Sequence, residues 1–358
     1  MRTVEHLGVV IPARRDGKNA AATTRALLAS ADRVSLPVTV VVVDDGDNEG
    51  FGDGLPDDPR LIVASTTEHG PGFARSAGVS AFAERVAAFD TSPERSWVVS
   101  LDADVRLGEE FIPTWLAGIE QSSEDILCAP AHFGALTGES ELNGDVQTAS
   151  SWMWADTSLY ERMIGVVNVG GCNHAVSLAV CSANGSYLQP TIGVDGARSI
   201  VAGDDWDFGL RARMSRFSIG RVDAPVVVTS TRRLVADPVG FLAGRSYERQ
   251  FEPIRDTPST HAWPPEEPWN EIAARGRARM AAHFLAKPLF AGVTPEGPLE
   301  WFLGKSLLEE LVRLSEHAPR RDSDWNVFRL ELIDFLFDEE VFAYCGRISQ
   351  HLSGGLAR

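Results

Sequence analysis

The chain has 358 residues with 50 Asp and Glu against 33 Lys and Arg, giving a formal net charge of −17 and a pI near 4.9. Such a surface repels nucleic-acid backbones and anionic lipid headgroups, so neither is expected as a partner; a small anionic substrate is admitted only where a metal or local arginines reverse the field. The 44% hydrophobic and 23% charged residues are ordinary for a globular protein.

Four scattered cysteines, Cys128, Cys172, Cys181 and Cys345, form no C-x-x-C pair. They suit a reducing compartment rather than a disulfide framework or zinc knuckle, and the expected location is the cytoplasm. The start, MRTVEHLGVVIPARRDG, reads as a strand and not a signal peptide. The most apolar late stretch, MAAHFLAKPLFAGV, is interrupted by Lys287 and Pro288, so no transmembrane segment is expected.

In chain order, LGVVIP (7–12) reads as a strand, residues 19–31 as an Ala-rich helix, and PVTVVVVDDG (37–46) as a strand apolar on both faces. RLIVAS (60–65) is a third strand, followed by a helix over about 72–89, the strand SWVVSLDAD, a helix over about 109–121 and the strand DILCAPA (125–131). This alternation predicts a mostly parallel, doubly wound α/β sheet, in which ligands bind beyond the carboxyl ends of the strands. A helix is expected over 141–163, a strand over 174–181, a capped helix in AGDDWDFGLRARM (202–214) and a strand in DAPVVVTS (223–230). Prolines 253, 258, 264, 265 and 268 then mark a connection to a helical, amphipathic C-terminal part.

Asp102 and Asp104 in WVVSLDADV are the first candidate site. In an extended chain, residues i and i+2 share a face with Cα atoms roughly 6.6 Å apart. At roughly 5 Å, in an effective dielectric near 20, two carboxylates repel by about 3 kcal/mol. Either a divalent cation offsets that repulsion, or the strand has ended and both acids face water. Asp44 and Asp45 close the second strand, either to accept hydrogen bonds from a nucleobase or ribose, or as an acidic turn with Gly46. Arg75, in EHGPGFARSAG (68–78), sits where a helix begins, placed for a phosphate or base contact or simply exposed. The G-x-G there lacks the third glycine and the strand context of a dinucleotide fingerprint.

Asp204, Asp205 and Asp207 occupy one helical first turn, where the macrodipole favours carboxylates; one cap needs only one of them. Arg232 and Arg233 end a Val-rich strand, either to hold a leaving diphosphate or to pair with surface acids. Asn173 and His174 line an acceptor site or serve as structural hydrogen-bonding residues.

Taken together, VVIPARRDGKN, VVVDDG, GPGFARSAG, SLDAD, GCNHAVS…NG and AGDDWDFGLR resemble, in order, the signatures of family 2 glycosyltransferases with the GT-A fold. The resemblance covers residues 1–235 and leaves 236–358 as a Pro-rich connection with a helical extension. It implies a nucleoside-diphosphate-sugar donor, an acceptor hydroxyl of unknown identity, and Mn²⁺ or Mg²⁺ held by Asp102 and Asp104. Asp44, Asp45, Arg75, Asp102, Arg232 and Arg233 would contact the nucleotide sugar, and Pro12 and Ala13 would border the base.

By the same resemblance, Asp205, with Asp204, would deprotonate the acceptor in an inverting displacement. Asn173, His174 and Trp206 would line the acceptor side. The sequence departs from the pattern at Gly46-Asp47-Asn48-Glu49, at the Asp-Asp pair and at Trp206, and lacks the Q-x-x-R-W signature of polysaccharide synthases. A retaining GT-A transferase, a sugar nucleotidyltransferase and a nucleotide-sugar-binding protein without turnover are the rival readings. The C-terminal region is expected to cover the acceptor or to form a homodimer.

Overall fold

A computed structural model describes residues 2–14, 16–46, 51–134, 136, 169–188, 191–194, 198–201 and 204–231. The chain divides into two compact units. The first comprises Met1–His132, Val167–Thr191 and Val201–Ser230; the second comprises Phe133–Val166, Ile192–Ile200 and Thr231–Arg358 and lies mostly outside the described residues. The expected boundary near residue 235, the helix at 141–163 and the C-terminal helices also fall outside them.

The described elements are β1 (His6–Ala13), α1 (Gly17–Ala31), β2 (Val38–Asp44), β3 (Leu61–Ser65), α2 (Pro71–Ala88) and β4 (Ser96–Ser100). Then come β5 (Val105–Arg106), α3 (Phe111–Gln121), β6 (Ile126–Cys128), β7 (Ala131–Gly134), β8 (His174–Ser177) and α4 (Leu178–Ala183). The last are β9 (Thr191–Val194), β10 (Arg198–Val201), α5 (Asp204–Met214), β11 (Ile219–Arg221) and β12 (Val227–Ser230).

The main sheet has seven strands in the order β11-β6-β8-β4-β1-β2-β3. Pairings β1–β2, β1–β4, β2–β3 and β6–β11 are parallel, while β8 runs antiparallel to both β4 and β6. This is the expected mostly parallel α/β sheet. A three-stranded sheet, β5-β12-β7, and a two-stranded sheet, β10-β9, complete the described strands.

The run VTVVVV is buried throughout because both faces of β2 are covered. Its period-2 side chains divide between two cores. Val40 and Val42 join Leu7, Val9 and Ile11 of β1 and Trp97 and Val99 of β4 beneath α1 and α3, through Leu27, Phe111 and Trp115. Val41 and Val43 join Val10 and Val98 beneath α2 and α5, through Phe82, Val86 and Phe208. Each fully buried Val is worth about 1.5–3 kcal/mol relative to exposure, so these strands carry much of the stabilisation. Helix α2 lies close on β1: a Cβ on Gly8 would stand 2.8 Å from the Phe82 ring.

No helix among the described residues is long and apolar enough to cross a membrane. The strand expected at 174–181 stops at Ser177, whose hydroxyl accepts from the Val180 N–H and caps α4.

Candidate active site

Parallel strands bring their carboxyl ends to one edge, and the register places Ala13 opposite Asp44 there. Asp44 and Asp45 diverge in role. Asp45 is buried, and its Oδ1 accepts from the Gly70 N–H at 2.8 Å. Gly70 has φ 138°, a conformation that favours glycine, and Pro71 follows at the start of α2. Burial pushes the Asp45 carboxyl above its ordinary range, against the Gly70 hydrogen bond and the charges of Arg14 and His69. Asp45 therefore ties β2 to α2, while Asp44, half-buried at the strand end, is the more accessible carboxylate.

Beyond β4, burial alternates: Leu101, Ala103 and Val105 are buried, Asp102 and Asp104 half-buried. The strand expected to run through Asp104 ends at Ser100, so both acids stand in the loop that follows β4. Their loop is held from both sides. The Thr23 hydroxyl of α1 lies 2.8 Å from Ala103 O and 3.0 Å from Val105 O, and the Ser230 N–H donates to Asp104 O at 3.0 Å.

Because β8 is antiparallel to β4, its beginning lies beside the end of β4, with His174 paired to Ser100. Gly170–Asn173 is thereby delivered to Asp102. The Cys172 thiol feels both Asp102 and Asp104, and burial followed by these charges raises its pKa well above the ordinary value, so it stays protonated.

Arg75 is the hub. It is buried, and its Nε donates to Ser100 Oγ at 2.9 Å, Nη1 to Asp204 Oδ2 at 2.5 Å, and Nη2 to Asp102 Oδ1 at 2.7 Å and Gly171 O at 3.2 Å. Burial opposes its charge, but Asp204, Asp102 and Asp205 hold its pKa above the ordinary value. These hydrogen bonds tie the two acids, Ser100 and the Gly171 carbonyl to one guanidinium.

Burial raises the carboxyl of Asp204, whose side chain is 4% exposed, above its ordinary range, with Arg75 opposing and Asp205 adding to the rise. Asp205 is half-buried, and its Oδ2 accepts from the Gly171 N–H at 2.5 Å. A Cβ on Gly72 would stand 2.9 Å from Asp204 Cβ, so glycine there lets α2 approach α5 closely.

Asn173 and His174 are both buried and held by hydrogen bonds within the protein. Asn173 Oδ1 accepts from Trp115 Nε1 at 3.1 Å, and its Nδ2 donates to the carbonyls of Pro130 and Pro225 at 2.7 and 2.8 Å. His174 Nδ1 lies 2.6 Å from Gly170 O, and its Nε2 lies 2.6 Å from the Tyr187 hydroxyl. A carbonyl only accepts, so Nδ1 carries the proton and Nε2 accepts from Tyr187. Burial, and next Arg75, lowers the imidazole to about pKa 3, leaving it a neutral strut.

The structure brings Asp102, Arg75, Asp204 and Asp205 together, with Asp104 beside Asp102, and sets Pro12, Ala13 and Asp44 on the same strand edge. The Trp206 side chain, Arg232 and Arg233 lie outside the described residues. Thr23, Ser100 and Gly171 were not foreseen, since no local pattern marks a hydroxyl or a glycine that acts across the fold.

No family model matches the sequence, and neither does any curated protein. Solved structures do resemble it. One is *S. aureus* TarS 1-349 in complex with UDP-GlcNAc, at 14% identity and TM-score 0.40 over 99% of this chain and 92% of that one. Another is glucosyl-3-phosphoglycerate synthase from *Mycobacterium tuberculosis* in complex with Mn²⁺, UDP-Glc and phosphoglyceric acid, at 16% identity and TM-score 0.39 over 68% and 76%. TarS 1-349 in complex with UDP reaches a TM-score of 0.42 at 14% identity, over 99% of this chain and 92% of that one.

Proposed function

We propose that the chain is a glycosyltransferase that moves a sugar from a nucleoside-diphosphate sugar to an acceptor hydroxyl, with inversion and with help from Mn²⁺ or Mg²⁺. One observation carries the reading: two acid pairs distant in sequence, Asp102 with Asp104 and Asp204 with Asp205, meet around Arg75 at the carboxyl edge of the sheet.

Their chemistry differs in a useful way. Asp204 is committed to Arg75 and shielded from water, whereas Asp205 is half-buried and is the carboxylate that receives a proton. As the acceptor oxygen bonds to the anomeric carbon, the bond from that carbon to the phosphate oxygen breaks. Its electron pair leaves with the nucleoside diphosphate, and the hydroxyl proton passes to Asp205. One displacement with one base inverts the anomeric centre. Asp44, beside Ala13 and Pro12, is placed to accept from the nucleoside.

Asp102 and Asp104 fit a hard divalent ion: both are half-buried carboxylates two residues apart, and the Asp102 side chain is 37% exposed. Among the described residues no three His, Cys, Asp or Glu side chains form a metal cage, and these two are the residues that would hold the ion. An ion held there would neutralise charge on the departing diphosphate. On this reading residues 1–235 carry the catalysis.

The test is thermal unfolding of the wild type and Asp104→Ala with UDP-glucose, UDP-N-acetylglucosamine, GDP- and dTDP-sugars, each with Mn²⁺, Mg²⁺ or a chelator. A ligand at about 100 times its Kd stabilises by about 2.7 kcal/mol, a shift this assay resolves. Stabilisation by at least one sugar nucleotide with metal, lost in Asp104→Ala, is expected. A wild type that no sugar nucleotide stabilises under any metal condition removes the reading.

A further inference from the structure

The least conspicuous group in the site makes the most connections. The Gly171 peptide stands between the two acid pairs. Its N–H donates to Asp205 Oδ2 at 2.5 Å, and its carbonyl accepts from Arg75 Nη2 at 3.2 Å and from the Ser100 hydroxyl at 3.0 Å. On the preceding side, the Gly170 carbonyl is fixed by His174, itself fixed by buried Tyr187. On the following side, the Asn173 N–H donates to Ser100 O at 2.9 Å, and three side-chain bonds hold Asn173. The segment is thus pinned at both flanks; the Gly171 N–H, which shares a peptide unit with the Gly170 carbonyl, meets Asp205, and the Gly171 carbonyl in the next unit meets Arg75 and Ser100.

Nor is there room for a side chain. A Cβ on Gly171 would lie 2.8 Å from Arg75 Nη2, 3.2 Å from Arg75 Cζ and 3.1 Å from Asp205 Oδ2. Those are the two side chains whose mutual placement matters, and both are anchored, so neither yields without breaking a bond described above.

We infer that the Gly171 backbone is a positioning element for the catalytic carboxylate: its N–H fixes one oxygen of Asp205, its carbonyl is fixed by Arg75 and Ser100, and only glycine serves there. The inference rests on the transferase reading and adds to it what aims the base. A carboxylate has two oxygens. Binding Oδ2 to a fixed N–H sets the orientation of the group that is to receive the acceptor proton. A displacement of the base by about 1 Å costs on the order of 100-fold in rate, so the positioning has consequences for turnover rather than for donor affinity.

The experiment measures hydrolysis of a sugar nucleotide, with water as the acceptor, together with donor affinity. Wild type, Gly171→Ala, Asp205→Asn and the double variant are compared with UDP-glucose, UDP-N-acetylglucosamine, GDP-mannose and dTDP-glucose in the presence of Mn²⁺. Gly171→Ala is expected to lose kcat by at least about 30-fold while keeping donor Kd within about threefold, less than 1 kcal/mol by the affinity relation. The double variant should be no slower than Asp205→Asn alone, because the peptide acts through that carboxylate.

Ser100→Ala removes a hydroxyl that braces the Gly171 carbonyl without adding bulk. It should lower kcat by about three- to tenfold, again with donor affinity kept, and it decides the matter should Gly171→Ala fail to fold. Unimpaired turnover in a folded Gly171→Ala, parallel loss of donor binding, multiplying losses in the double variant, or an unaffected Ser100→Ala would each overturn the inference and leave the transferase reading standing. A wild type that hydrolyses none of these donors would remove both.

Discussion

Replacing Arg75 by Met removes the guanidinium but keeps a long, flexible apolar stem. Four hydrogen bonds disappear, those to Ser100, Asp204, Asp102 and Gly171. The two carboxylates left behind are unequal. The Asp102 side chain is 37% exposed and can be hydrated, whereas Asp204 is 4% exposed and cannot. Breaking a buried pair by deleting one partner costs about 3–5 kcal/mol, and most of that should fall on Asp204.

The penalty has a pH signature. Without Arg75, the one charge opposing the rise of its pKa, Asp204 binds a proton more tightly in the folded than in the unfolded state, so stability falls as pH rises. Urea unfolding of the wild type and Arg75→Met at pH 5 and pH 8 should show a deficit that is smaller at pH 5. Arg75→Met/Asp204→Asn should recover at least half of the deficit at pH 8, because the uncompensated charge is gone. An Arg75→Met protein within about 1 kcal/mol of wild type at pH 8, or a double variant less stable than the single one, would refute the account of the hub.

Asp205→Asn should retain metal-dependent donor binding and lose at least about 100-fold in transfer or donor hydrolysis, the upper part of the range for general base catalysis; unchanged turnover removes it as the base. Asn173→Ala leaves Trp115 Nε1 and two proline carbonyls without their partner and puts alanine at φ 71°, costing about 3–5 kcal/mol in chemical denaturation. The third expectation concerns acid. His6 is lowered to about pKa 4 by burial and by Arg85, and His174 to about 3 by burial and Arg75. The unfolded chain therefore binds more protons below about pH 6.5, and stability present above that pH is lost as it falls toward 4. His6→Phe with Thr39→Val, which removes the buried imidazole and its hydroxyl partner, should flatten that limb in thermal unfolding between pH 7 and 4.

The parallel core was legible because its signal is local. A run such as VTVVVV, bounded by Pro37 and Asp44, admits a strand covered on both faces, and the structure covers it. Asp102 and Asp104 were legible as a local pair after an apolar run, although the strand itself stops at Ser100, before both of them. What the sequence hid depends on orientation. HAVSLAVC contains enough apolar residues for one eight-residue strand, yet the Ser177 hydroxyl caps a new helix after four. Strand β11, Ile219–Arg221, is three residues of ordinary composition and exists because β6 offers it an edge. Arg75 was legible as a residue near the site but not as its internal counterion, because its partners lie 27 and 129 positions away.

The antiparallel course of β8 connects these observations. Had it run parallel to β4, residues 170–173 would enter at the opposite edge of the sheet, roughly 13 Å away for a four-residue strand at 3.3 Å per residue. Gly171 would then be out of reach of both Asp205 and Ser100. Reversing one strand in an otherwise parallel half-sheet brings a loop from a later part of the chain back to the carboxyl edge. There it supplies a backbone N–H and a carbonyl without adding any charge. The site already gathers Asp102, Asp104, Asp204 and Asp205 around one guanidinium. On the proposed transferase reading, another carboxylate would deepen a field that a diphosphate must enter, and another cation would compete with a divalent ion for Asp102. The neutral backbone at Gly171, held by β8, would orient the base without altering that balance.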